Sequence, residues 1–311
     1  MNSISTLYGE LNGVEFRQLF SNKKIDGCLV SEKNVLTTPY GSLVPIYETE
    51  DMGRRSIKPV YFYKNGALKS LPLQSQTVLD TPAGKVPAEL VTFYRDGNLK
   101  RVFPLDGSLS GFWSWKNEFA LSEEVELDTP AGRIRAKIIG IQFYENGALK
   151  SLTFWPGQSV TINTPIGETN VRKGIAFYES GAIRSFEPLC KTGIETPVGL
   201  ISAYDNEPNG IHGDINSLQF TRDGAIEALS TVEHEVEVSI PGKGVKLFKP
   251  GVKKNVCGDE RKVSVPLKVR FTRETVIFHD NQDYSFELKN CGFSVRKTVN
   301  ATEEPAYSCA G

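Results

Sequence analysis

One twelve-residue phrase occurs five times in this chain: VYFYKNGALKSL at 60–71, VTFYRDGNLKRV at 91–102, IQFYENGALKSL at 141–152, IAFYESGAIRSF at 175–186 and LQFTRDGAIEAL at 218–229. Such repetition constrains the fold more than composition does, because each copy must sit in an equivalent place among stacked supersecondary units. A second phrase, Thr-Pro-x-Gly, stands at 38–41, 81–84, 129–132, 164–167 and 196–199. A degenerate copy, TLYG at 6–9, is followed by QLFSNKKID, where Asn22 falls in the turn. The threonines lie 32, 43, 48, 35 and 32 residues apart, which gives six units.

Between the two phrases apolar residues alternate with period two. In KIIGIQFY, Ile139, Ile141 and Phe143 point one way while Gly140, Gln142 and Tyr144 point the other. No window of comparable strength keeps a helical period, so the chain reads as all-β. The Asn-Gly, Asp-Gly and Ser-Gly pairs read as two-residue type I′ turns. That register sets Phe143 opposite Lys150, Ile141 opposite Leu152 and Tyr144 opposite Leu149. It collects Val60, Phe62 and Leu71, and their counterparts in the other copies, on one apolar core face. Tyrosines and the serines at 70, 151 and 185 fall on the other face.

The phrase F-Y-x-N-G-x-L-K, at Phe62–Lys69, Phe93–Lys100, Phe143–Lys150 and Phe177–Arg184, resembles the MORN-type repeat in its bacterial form, Y-Y-x-N-G-x-L-K. The resemblance covers about eight residues per unit. It implies β-hairpins stacked side by side, and a link to protein–protein and membrane-proximal scaffolding. The units here are longer than that repeat, and Thr-Pro-x-Gly has no counterpart in it, so only the hairpin stack is carried over. The expected fold is tandem antiparallel β-hairpin or meander repeats stacked into an extended sheet over residues 1–231. A divergent β-rich C-terminal cap or small domain then covers 232–311. A six-bladed β-propeller is the alternative, since its blades run about 40–45 residues.

With 39% hydrophobic and 23% charged residues and a net charge of −1, the chain can bury a core yet has no global field for gathering nucleic acid. No long apolar run occurs and the start lacks the pattern of a signal peptide, so a cytoplasmic location is expected. The cysteines at 28, 190, 257, 291 and 309 form no C-x-x-C pair. They encode neither a disulfide framework nor a zinc cluster and read as buried or idle thiols.

Three groups of residues are candidate sites. Lys69, Lys100, Lys150 and Arg184 follow the turn glycine by three residues in successive units, which suits a basic stripe facing an acidic partner. The alternative is that each cation lays its aliphatic stem over the facing Phe with its head in water. Phe112, Trp113, Trp115 and Phe119, in the insertion at 105–124, form an aromatic cluster. It suits either gripping a partner or sugar ring, or plugging a groove of its own sheet. Asp205, Glu207 and Asn209, followed by Gly210, echo the start of a calcium loop, although Asn216 stands where the closing Glu would be. Otherwise the segment is a polar surface loop.

No G-x-S-x-G elbow, H-E-x-x-H pair or phosphate-binding glycine loop is present. The expected function is therefore a non-enzymatic scaffold without a cofactor, whose partner is another protein and whose unequal insertions carry recognition. The alternatives are a carbohydrate-active or other hydrolase on a propeller or sandwich, and a membrane-surface scaffold resting on the family resemblance alone.

Overall fold

The structure, a computed structural model, describes residues 3–49, 53–110, 113–206, 213–254 and 262–298. It is all-β. Among the described residues the single helix is Trp115–Leu121. Two compact units are present, Met1–Gln158 with Glu179–Gly181, and Ser159–Tyr178 with Ala182–Gly311. The dividing point falls inside the repeated region, whereas the drift of the phrase in the sequence places a boundary at 231.

In the first unit the sheet runs hairpin after hairpin. Val14–Leu19 pairs with Ile25–Val30, which pairs with Val60–Phe62. Leu68–Thr81, Gly84–Phe93 and Leu99–Phe103 follow in antiparallel order, then Gly132–Phe143 and Leu149–Phe154. The strands thus form a continuous meander instead of four-stranded blades. The second unit repeats the plan from Gly167–Phe177 through Ile183–Pro188, Leu218–Phe220 and Ile226–Thr231. It adds a further hairpin, Leu267–Phe271 with Thr275–Asp280, and then Gln282–Glu287.

The aromatic hairpin turns differ from the two-residue form expected. Tyr144 donates its N–H to the Ala148 carbonyl (2.8 Å), and Gly147 donates to the Tyr144 carbonyl (3.0 Å). This is a three-residue loop, a type I turn followed by a bulge, and it places Phe143 opposite Leu149 while Ile141 stays opposite Leu152. Lys150 therefore does not face Phe143, nor Tyr144 Leu149. Only the glycine needs positive φ, at 86° for Gly147. The residue before it serves another purpose: the Asn146 side-chain oxygen accepts the Ala148 N–H at 3.0 Å, as Asn65 does for Ala67 at 3.2 Å.

The core face is as the alternation predicts. Val60, Phe62, Leu71, Val91, Phe93, Val102, Ile141, Phe143 and Leu152 are each at most 2% exposed, and so are Ile175, Phe177, Phe186, Leu218, Phe220 and Leu229. Each such side chain contributes about 1.5–3 kcal/mol relative to exposure. The register shift adds Leu68, Leu99 and Leu149 to this buried set.

Thr-Pro-x-Gly closes a second family of hairpins. The Thr129 hydroxyl accepts the Ala131 N–H (3.2 Å) and donates to the Gly132 carbonyl (2.7 Å). The same pair of bonds recurs at Thr6, Thr38, Thr81, Thr164 and Thr196. These tips lie on the turns of aromatic hairpins further along the chain. A methyl group on Gly147 would meet the Pro82 ring at 3.7 Å, and one on Gly224 would meet Pro165 at 3.5 Å.

Successive aromatic turns are stapled to each other. The Tyr63 hydroxyl donates to the Phe93 carbonyl (2.9 Å) and the Tyr94 hydroxyl to the Phe143 carbonyl (2.9 Å). In the second unit Tyr178 does the same to Phe220 (2.8 Å). The tail strands expected beyond residue 231 are present, and among them the buried rings of Phe248 and Phe278 stack with centres 4.6 Å apart. Cys28 is a buried free thiol that burial pushes up to about 11, which makes it inert. The expectation of idle thiols fails at Cys190, which is disulfide-bonded.

The first hairpin of the aromatic family, around Asn22, uses the same three-residue loop but puts Lys23 in the glycine position, at φ 62°. Lys23→Gly should raise the unfolding free energy by about 0.5–1 kcal/mol in urea melts, because it relieves a left-handed backbone. Tyr94→Phe should lower it by about 1 kcal/mol through loss of the staple to Phe143.

Candidate functional site

In the insertion, Ser114 opens the helix, its N–H bonded to the Asn117 side chain at 2.9 Å. The helix carries Glu118 inward. Burial pushes the Glu118 carboxyl up, but hydrogen bonds from Arg54 and Trp113 outweigh it and hold the group below the usual carboxylate range. Arg54 also makes a two-pronged pair with Glu89, at 2.9 and 2.8 Å. The indole N–H of Trp113 is thus bonded to Glu118 (2.6 Å), and Phe119 packs edge-on against Trp155 with ring centres 6.0 Å apart. Of the aromatic cluster, Trp115 is 42% exposed, and Phe112 lies outside the described residues. The insertion folds back on its own unit.

The basic residues differ in their surroundings. Lys100 and Lys150 hold their ammonium groups over the rings of Tyr94 and Tyr144, 5.4 Å from each ring centre, and not over a Phe. Arg184 donates to the Asp214 carbonyl at 3.1 Å. Lys69 is exposed. Of the calcium-loop residues, Glu207 and Asn209 lie outside the described residues. Asp205 is buried, its backbone N–H bonded to Glu187 (3.2 Å) and its carbonyl to Arg172 (2.6 Å). Among the described residues no group of three or more His, Cys, Asp or Glu side chains is placed to hold a metal ion.

A site the sequence reading missed lies in the second unit, beside that loop. Its foundation is Glu187, which is fully buried. One carboxylate clasps both ends of the segment running from Asp205 to Ser217: it accepts the Asp205 N–H and, at 2.8 Å, the Ser217 N–H. Arg172 reaches the same carboxylate at 3.4 Å and stacks its guanidinium on Tyr204, 4.5 Å from the ring centre. Gly213 rests on Gly174, where a methyl group would come within 2.5 Å of its Cα. Asn216 bonds the Ser185 hydroxyl at 2.9 Å. The clasp was detectable in outline: Glu187 takes the place that Pro72, Phe103, Thr153 and Ser230 hold in the other copies of the phrase.

Asp205 at one end of the clasped segment and Ile215, Asn216 and Ser217 at the other form one wall of an open cleft of about 420 Å³, a volume in the range of small ligand sites. The floor is the sheet face opposite the core. Across it Ser230, Lys268, His279 and Asp283 stand in one cross-strand row, with Gln219, Ala228, Arg270 and Ile277 in the next. The hairpin Gly251–Lys254 with Lys262–Val265 brings Lys253, Ser264 and Val265 to the cleft lining. Asp283 is bonded to His279 at 2.8 Å and to Arg270 at 3.1 Å. The hydrogen bond from His279 and the charge of Arg270 hold its carboxyl below the usual range. The other described histidine, His234, is buried and accepts the Ser202 N–H through Nδ1 at 3.2 Å, a structural role.

No family model, curated protein or solved structure matches the chain. The MORN resemblance therefore stands on the repeated phrase alone. Among the described residues no helix is long and apolar enough to cross a membrane.

Burial pushes Glu187 up to about 7, against the opposing pull of Arg172 and the Ser217 and Asp205 hydrogen bonds. A carboxyl raised in the folded state retains a proton that the unfolded chain has lost. Its contribution is present in full below the unfolded value and disappears as pH rises through the folded one. Wild-type stability, measured relative to Glu187→Gln, should fall by about 2–3 kcal/mol between pH 4.5 and pH 7.5 in urea titrations, and show no further trend above.

Proposed function

We propose that the protein is a non-enzymatic β-repeat scaffold that holds another protein, and that the contact lies at the open cleft of the second unit. The observation that carries this reading is how the chain uses its recognition-type side chains. Trp113, Phe119, Lys100, Lys150 and Arg184 are engaged within the chain, whereas Ile215, Val265 and Lys268 around the cleft are exposed. Concave shape, an apolar rim and convergent polar groups are the features of a contact site. Its walls come from the segments that depart from the repeat, the pattern expected when a regular frame carries variable recognition elements.

A photo-reactive amino acid placed at position 268 of the full chain in its own cell should cross-link to a discrete protein, whereas one at position 69 should not. That protein, produced separately, should bind the unmodified chain in titration and bind Lys268→Glu about tenfold more weakly. Absence of an adduct, equal adducts from both positions, or binding indifferent to Lys268→Glu would overturn the reading.

A further inference from the structure

We infer that the cleft of the second unit takes an acidic peptide segment, its carboxylates held between the floor and the strand pair that carries Lys253. The inference rests on the scaffold reading above and specifies the chemistry of the partner. Its basis is the charge balance of the cleft. Asp283 is matched by Arg270 and His279, each within hydrogen-bond distance of one of its oxygens. Asp205 adds one buried carboxylate to the lining, which offsets one further cation and leaves the lysines in excess. Lys268 on the floor and Lys253 on the hairpin remain, both exposed and neither in an ion pair among the described residues. Two ammonium groups approaching one space from different elements call for anionic groups on the occupant.

The rest of the lining favours a peptide. Gln219 and Ser230 offer both donors and acceptors on a flat strand face, which suits backbone amides. Exposed Ile215 and Val265, at 53% and 38%, flank them and suit aliphatic side chains between the acids. No Phe, Tyr or Trp side chain lines the cleft among the described residues to stack on a sugar ring.

The test uses the full chain and a fluorescein-labelled hexaglutamate peptide followed by fluorescence anisotropy, with hexaglutamine as the uncharged probe and polygalacturonate as the anionic saccharide. Hexaglutamate should bind, hexaglutamine should not, and raising the salt from 0.05 to 0.5 M should weaken binding about tenfold. The double variant Lys253→Glu, Lys268→Glu should abolish binding, while Lys150→Glu, in the first unit, should leave it unchanged. Both cleft lysines are exposed, so the double variant should keep the wild-type circular dichroism spectrum. If it does not, Lys253→Gln with Lys268→Gln gives the same comparison and should weaken binding about tenfold. Failure of hexaglutamate to bind, equal binding by the cleft variants, or preference for polygalacturonate would overturn the inference. A cross-linked protein partner at position 268 without hexaglutamate binding would leave the scaffold reading standing and remove only the acidic-peptide assignment.

Discussion

The structure depends on a bulged three-residue turn and the hydroxyl that reaches it from the hairpin before. The turn glycine sits at positive φ and the preceding Asn or Asp fastens the loop to itself, so the backbone leaves each hairpin tip in one fixed geometry. That geometry presents the carbonyl of the preceding phenylalanine to the tyrosine of the neighbouring hairpin, as at Tyr63–Phe93 and Tyr94–Phe143. Neighbouring ribbons are thereby held in register at the one end where the ladder of strand pairing has already stopped. Burial of the apolar face is the main favourable contribution, but it is non-directional and does not select a register. The turn and its staple do.

Much of the fold was legible because its cause is local. Alternation assigns Phe62, Phe93, Phe143 and Phe177 to a single face, and a glycine preceded by Asn, Asp or Ser announces a hairpin. The type of turn was not legible, since Asn-Gly is compatible with both a two-residue loop and a bulged three-residue loop. The difference decides whether Leu149 or Lys150 faces Phe143. The role of threonine in Thr-Pro-x-Gly was equally hidden: its fixed identity reflects two hydrogen bonds inside the tip. Alternation also marks the strands Leu267–Phe271 and Thr275–Asp280, but not their pairing as a hairpin, because RFTRETVIF carries neither glycine nor asparagine at its bend.

The candidate site was less legible than the fold, for a physical reason. Aromatic and basic side chains are conspicuous in a sequence, yet they are also the groups most able to satisfy one another within a chain. Trp113 found Glu118 and Lys150 found Tyr144. The cleft is built from commonplace residues such as Ser230, Gln219 and Lys268, whose significance arises only from cross-strand neighbours more than thirty positions away in sequence. The one sequence clue was a misfit. A glutamate stands where sister copies place uncharged side chains, and it closes a segment of the chain like the pin of a brooch.

The contact between a threonine tip and the turn of a later hairpin bears on how such a chain can change in length. Pro82 rests on the turn at Gly147 and Pro165 on the turn at Gly224, so a tip and the turn beneath it are made by separate stretches of sequence. Copying a stretch that carries one tip and one turn would add a ribbon without leaving either kind of partner bare. Material inserted between them, as at 105–124, meets neither contact. Growth by duplication and divergence by insertion can therefore proceed independently, the first lengthening the frame and the second altering what it displays.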